Sequence, residues 1–351
     1  MIQKTKAIFT LTSPLHTGAE QSRVRPEHLP QGAESNYTPH RRLPVVLQYE
    51  GHQDIVKLPA VSGNTIRHVL RESLVDPTLT FLGLQRRDLP KNILEMLVSG
   101  GGMDTSDVKK DEKEKEAATK IAGEHDGNMP ILVRDRETLR SVFPILSLFG
   151  ASYGNRMLPG LLRIGWAIPA LRETAHITGY HSDVSYSADI FSYQLGTRHD
   201  PVSDAPNQSE SRQSIYYFEV VSPGIPFSHE ITLDLMTDVE RGALQLALDR
   251  FQMEGKIGGK TGTGLGFFTM TEKYEQVGNP SVYMDWLKEN KAVIIDYLDI
   301  WNSPQKVVKK DQTIAFPDGI SKELDRLVEE RQAKLSEAYQ QFYATIGGSV
   351  E

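Results

Sequence analysis

Cysteine is absent from the whole chain. Disulfides, thiolate zinc centres and cysteine nucleophiles are therefore excluded, and the composition suits a reducing cytoplasm, the expected location. Long apolar runs are missing as well. The longest, near Leu158 to Leu171, is interrupted by Arg163, and Ala7 to Leu15 is short and threonine-broken. Neither a membrane span nor a signal peptide is expected. Net positive charge is also lacking, at −7 for pH 7, yet the charge is segregated. Residues 1–100 hold 12 Lys and Arg against 9 Asp and Glu, a net of +3, which leaves −10 for the remainder. A basic face against an acidic body fits that split. What is present, 351 residues with 39% hydrophobic and 24% charged, describes a globular protein of one large or two modest domains.

Catalytic signatures are equally sparse. There is no H-x-x-x-H or H-E-x-x-H pair and no G-x-S-x-G elbow. His16, His28, His40 and His52 are spaced by twelve, but their neighbours share nothing, so no repeat is implied. No metal site and no cofactor is expected. The most informative segment is Gly258 to Gly266, with five glycines, Lys260, Thr261 and Thr263 in nine residues. Such a backbone lets a ligand approach closely and can turn N–H groups toward an anion. A Walker A loop would need glycine at Glu254, and the glycines run G-x-G-x-G, not G-x-G-x-x-G. Nucleotide loops also join a strand to a helix. Here Leu244, Leu248 and Phe251 mark a helix over 238–254 before the loop, and Leu265 to Met270 read as a strand after it.

Along the rest of the chain, Thr5 to Leu11 alternates as a strand and residues 19–43 form a long polar loop carrying Arg23 and Arg25. Val45 to Tyr49 and Ile55 to Leu58 fit a hairpin. Ser62 suits a helix N-cap, with Ile66, Val69, Leu70 and Leu74 on the buried side and Gly63, Asn64, Arg67 and Arg71 near the start or on the other face. Residues 76–97 suggest small helices, and 100–127 a solvated linker. Leu161 to Ile168 reads as a strand. Residues 176–215 form an arm in which aromatic and basic residues interleave, Tyr180 and His181 among them, as base stacking and phosphate contact require. Tyr216 to Val221 and His229 to Leu235 fit a hairpin through Ser222-Pro223-Gly224, and a final helix starts near Ser321. Without the insertions the order is β-α-β-β-α-β, an α+β class with a ferredoxin-like or RRM-like plan.

Three blocks resemble the repeat-associated (RAMP) superfamily of CRISPR proteins, specifically the backbone subunits that polymerise along a guide RNA: Leu11 to Gly18, Leu58 to Arg71, and the Gly258 to Gly266 loop. Phe149-Gly150 is a weaker fourth. The overall look is closest to the type IV backbone subunit. The resemblance implies a palm (1–75, 161–175 and 216–275), helical fingers (76–160, with a flexible segment at 100–127), a β-hairpin thumb (176–215) and a helical C-terminal extension (276–351). It implies a non-catalytic subunit whose partners are guide RNA, target DNA or RNA paired through the guide, copies of itself in a filament and other CRISPR subunits. Carried over by position, the guide-contacting residues are His16, Gly18, Ser62, Gly63, Asn64, Arg67, Arg71, Gly258, Gly259, Lys260, Thr261, Gly262 and Thr263. Arg23, Arg25, Arg156, Tyr180 and His181 join them as further expected contacts. Some type III relatives cleave RNA with an aspartate in the loop after the first strand; here 19–43 has Glu20, Glu27 and Glu34 but no aspartate. The strand after Phe149-Gly150 reads Arg163-Ile164-Gly165-Trp166-Ala167, where many relatives end in Asp-Ala. The rival reading is a metal-independent guide-processing endoribonuclease with His16 as general base and Lys260 on the phosphate. A glycine-loop NTPase is disfavoured by the loop's spacing and topology.

Overall fold

A computed structural model describes residues 3–18, 37–101, 133–153, 156–187, 190–199, 213–302, 308–310, 313–315 and 318–347. Residues 102–127 of the expected linker and 19–36 of the expected loop, with Arg23 and Arg25, lie outside these residues; the loop's remainder, 37–43, carries the strand Tyr37–Thr38 and the start of another at Arg42. The strands are β1 (Gln3–Leu11), β2 (Tyr37–Thr38), β3 (Arg42–Tyr49), β4 (His52–Pro59), β5 (Ala151–Tyr153), β6 (Arg156–Leu158), β7 (Leu162–Ile164), β8 (Ile168–Pro169), β9 (Phe191–His199), β10 (Gln213–Val221), β11 (Pro226–Leu233) and β12 (Phe268–Glu272), followed by a short pair at Val308–Lys310 and Thr313–Ala315. The helices are α1 (Gly63–Leu82), α2 (Lys91–Val98), α3 (Val133–Val142), α4 (Pro144–Phe149), α5 (Ala175–Thr178), α6 (Asp238–Glu254), α7 (Pro280–Asn302) and α8 (Asp318–Gly347). The class is α+β.

The central sheet runs β12-β1-β11-β7, antiparallel throughout, with β8 also on β11. With α1 after β1 and α6 after β11, this is the strand order of a β-α-β-β-α-β unit. Alternation puts Ala7, Phe9 and Leu11 on one face of β1. Phe9 pairs with Phe227 across β11, their rings stacked at 5.6 Å, and Phe268 of β12 lies 4.9 Å from Phe9. Phe251 of α6 closes the cluster 5.0 Å from Phe268. The two crossover helices pack on each other, and α7 packs on α6. Thr237 and Glu240 cap α6 reciprocally, which fixes its start.

Three expectations are corrected. The α1 helix does not give way to separate small helices at 76 but runs on through Pro77 to Leu82, where Gly83 caps it in the left-handed region. The expected strand over 161–168 is two short strands separated at 165–167, where Ala167 bridges Val61 instead. Ser222 to Gly224 does not close a hairpin. β10 pairs with β9 and β2, while β11 joins the central sheet, so the turn passes the chain from one sheet to another. The reason is long-range: Val221 is held by two backbone bonds to Leu15, and Gly224 N–H donates to Leu11. The edge that β11 would need is therefore occupied. Among the described residues no helix is long and apolar enough to cross a membrane.

Candidate nucleic-acid interface

The chain leaves β1, turns at Ser13-Pro14 and runs Leu15-His16-Thr17-Gly18 across the mouth of the sheet. His16 is 5% exposed. Its Nδ1 lies 2.7 Å from the Glu219 carbonyl, which can only accept, so Nδ1 carries the proton and Nε2 the lone pair. Burial, and then the Lys260 charge, lower its pKa, keeping the ring neutral. Nε2 lies beneath the exposed Gly18. A neutral acceptor suits a hydroxyl donor such as a ribose 2′-OH better than a phosphate oxygen.

The glycine loop is seated on this turn. Gly259 N–H donates to the His16 carbonyl at 2.8 Å and Gly266 N–H to Pro14 at 2.7 Å. Those two amides are spent inside the protein, which narrows the expected anion nest to the tip. Gly258 has φ +85°, and a Cβ there would sit 2.6 Å from the His16 carbonyl, so this glycine is required by packing. Around Gly262 and Gly264 the space is open. Among the described residues the amides of Lys260, Thr261 and Gly262 have no internal acceptor. Lys260 adopts the left-handed region at φ 60°, and Nζ lies over the rings of Tyr216 (4.5 Å) and Phe218 (4.9 Å) and 3.2 Å from the Tyr216 hydroxyl. The ammonium is thus held against β10, beside His16, whose ring meets Phe218 edge-on at 5.3 Å.

The α1 block reaches the same rim. Thr17 Oγ1 donates to the Ala60 carbonyl at 3.3 Å, two residues before the Ser62 cap, whose hydroxyl accepts from Thr65 N–H at 3.3 Å. Gly63 abuts the sheet: a Cβ would meet the Ile164 carbonyl at 2.2 Å, so this glycine serves packing and not ligand approach. Asn64 is exposed and Arg67 half-buried. Burial lowers the Arg67 pKa, and its Nε has no partner among the described residues. Arg71 is turned inward. It is 4% exposed and donates to the carbonyls of Phe149 (3.1 Å) and Gly150 (2.7 Å), stapling α1 to the end of α4. Burial, and then Arg67, push its pKa down to about 10.

Three residues from the sequence reading stand apart. Tyr180 and the exposed His181 follow α5, with no hydrogen bond or ring contact to this cluster among the described residues. Arg156 pairs with Tyr153 in the β5–β6 hairpin. Sequence reasoning missed the centre of the cluster. Glu219, 1% exposed, accepts from His40 N–H at 2.9 Å and from the Arg42 guanidinium. His40 is also buried, and burial pushes its pKa down to about 3. The available signal was the lone acid in the apolar run Ile215 to Val221, which demands a buried partner.

No curated protein matches the chain. Among solved structures, a chain of a "Type IV-B CRISPR Complex" is similar at 17% identity and a TM-score of 0.47, covering 77% of this chain and 90% of that one. The family model described as "RAMPs: RAMP superfamily" matches residues 8–269. That match begins inside β1, ends inside β12, and so spans every strand of the central sheet and all three blocks of the interface: the chain belongs to the RAMP superfamily.

Proposed function

We propose that the protein is a non-catalytic backbone subunit of a CRISPR ribonucleoprotein, most like the type IV effector, which binds guide RNA and presents it for pairing with a target. The observation that carries this reading is the convergence of three elements on one rim: the His16–Gly18 turn, the Lys260 tip of the glycine loop, and the α1 start with Asn64 and Arg67. This rim offers cations, open backbone amides and one neutral acceptor, a set that fits phosphates and ribose and reads no base edge. Binding is therefore nearly sequence-blind and salt-sensitive. Copies stack along the guide, the β9–β10 hairpin of each reaching over it as a thumb, and other effector subunits complete a cytoplasmic complex with a DNA or RNA target.

The test is to express the chain with and without a CRISPR array, purify it, and sequence nuclease-protected RNA. A stepped ladder of array-derived fragments on higher-order protein supports the reading; a nucleic-acid-free monomer in both cases contradicts it. Arg67→Ala should weaken unrelated RNAs alike, and a loss confined to one sequence would count against backbone recognition. The endoribonuclease alternative has one observation in its favour, the unprotonated Nε2 of His16 near Lys260, the form a general base needs. Cleavage of array RNA by this chain that disappears in His16→Ala would establish it.

A further inference from the structure

At the root of the β9–β10 hairpin one side chain grips both strands. The guanidinium of Arg42, on β3, bonds the buried Glu219 carboxylate of β10 and lies 4.2 Å over the ring of Phe191, the first residue of β9. Glu219 is fixed from two further sides, by His40 N–H on its carboxylate and by His16 Nδ1–H on its carbonyl. Its cross-strand partner Tyr193 packs on Tyr37 of β2, the rings 6.1 Å apart. Among the described residues farther out, Tyr217 pairs with Tyr37 of β2 and Tyr216 lies under the Lys260 ammonium, while Leu195 is 54% exposed and Tyr37, Tyr193 and Tyr217 form a small satellite cluster. A two-stranded ribbon on its own is marginal in water, so its direction is set at its root. A buried ion pair adds little stability over apolar residues of the same shape; a defined geometry is what it can add.

We propose that Arg42 and Glu219 are positioning residues that fix the angle at which the hairpin leaves the sheet, and so where it meets a bound guide. The second clause rests on the guide-binding reading; the first does not. Glu219 is buried, and the Arg42 guanidinium is engaged by it and by the Phe191 ring.

The absence of cysteine makes the test direct. Leu195→Cys on the hairpin and Met253→Cys on α6, 77% exposed, place two spin labels on a chain with no competing thiol. The distance distribution is measured without RNA in three backgrounds. One is the natural sequence. The second is the Arg42→Met, Glu219→Gln double variant, which leaves no unpaired buried charge. The third is Phe191→Leu, which keeps the ion pair and removes the ring beneath the guanidinium. The expected result is a narrow distribution in the first and a broader one in both variants, with unchanged circular dichroism. RNA affinity should then fall by about tenfold, one stacked contact's share. A lowered melting temperature with the original narrow distribution would mean a merely structural role and overturn the proposal. So would a broadened hairpin with undiminished RNA affinity. Should the double variant fail to fold, Phe191→Leu decides alone. Failure of the natural sequence to bind any RNA would overturn the guide-binding reading and leave the distance result standing.

Discussion

Glu219 and Glu240 are both 1% exposed, and each faces an arginine, yet the two sites are built differently. Glu240 caps α6 through Thr237 N–H at 2.8 Å, takes the Ser147 hydroxyl, and receives Arg331 of α8 through Nε (2.9 Å) and Nη2 (2.8 Å). The same arginine donates to Glu137 of α3 at 2.9 Å, and its side chain is only 8% exposed. Four helices are thereby locked around one charge cluster. Arg42, by contrast, is 38% exposed, and its pair sits at the root of a hairpin. The buried lock belongs to the body; the half-open latch belongs to the part that reaches out. The deeper the cation, the more its removal should cost, because the carboxylate left behind is buried without a partner.

Three experiments sharpen or break that contrast. The largest effect is expected for Arg331→Ala, which strands Glu240 among buried groups and should cost about 3–5 kcal/mol in denaturant unfolding. RNA affinity should be untouched at temperatures where the variant is folded. A cost no larger than an ordinary surface substitution would erase the distinction.

Acid comes next, and through His40 part of its effect should fall on the latch side. Burial pushes His40 down to about 3 and His229 to about 4, from an ordinary 6.5. Below 6.5 the unfolded chain takes up protons that the folded chain refuses, so stability is full above that pH and falls as pH drops toward 4. Each ring contributes about 1.4 kcal/mol per pH unit in that window. His40→Asn, beside Glu219, should remove its share of the slope between pH 6.5 and 5 and leave that of His229. A slope identical to the parent's would show that His40 is not held neutral.

The smallest effect on stability is expected for Lys260→Ala. Its ammonium is half-exposed over two rings, an arrangement worth about 0.5–1 kcal/mol. RNA binding should nonetheless weaken severalfold, and the slope of log affinity against log salt should fall by about one unit. Loss of stability without loss of RNA binding would move Lys260 from the rim into the fold.

Much of the architecture was legible because period and capping are local. The 3.6-residue spacing of Leu244, Leu248 and Phe251, with Thr237 before and Gly255 after, fixes α6 to its observed ends. The alternation in β1 likewise names its buried face. What escaped was long-range. Arg67 and Arg71 lie one helical turn apart and look alike in sequence, but carbonyls at 149 and 150 lie over one and not the other. Ser222-Pro223-Gly224 has hairpin chemistry, yet no local signal reveals that Leu15 has already claimed Val221. At the interface, the glycine loop was visible by composition. The division of its glycines was not, because that depends on the main chain at His16, more than two hundred residues away.

The course of α8 past Arg331 has a kinetic consequence. Its first half is clamped by Leu324, Leu327 and Arg331, whereas Tyr339 and Tyr343 farther along are 51% and 66% exposed. Residues 332–347 continue for about 24 Å beyond the clamp at 1.5 Å per residue. Amide protons before Arg331 can exchange with deuterium only when the body opens, while those after it exchange through fraying. One uninterrupted helix should therefore keep two clocks, separated by a single guanidinium.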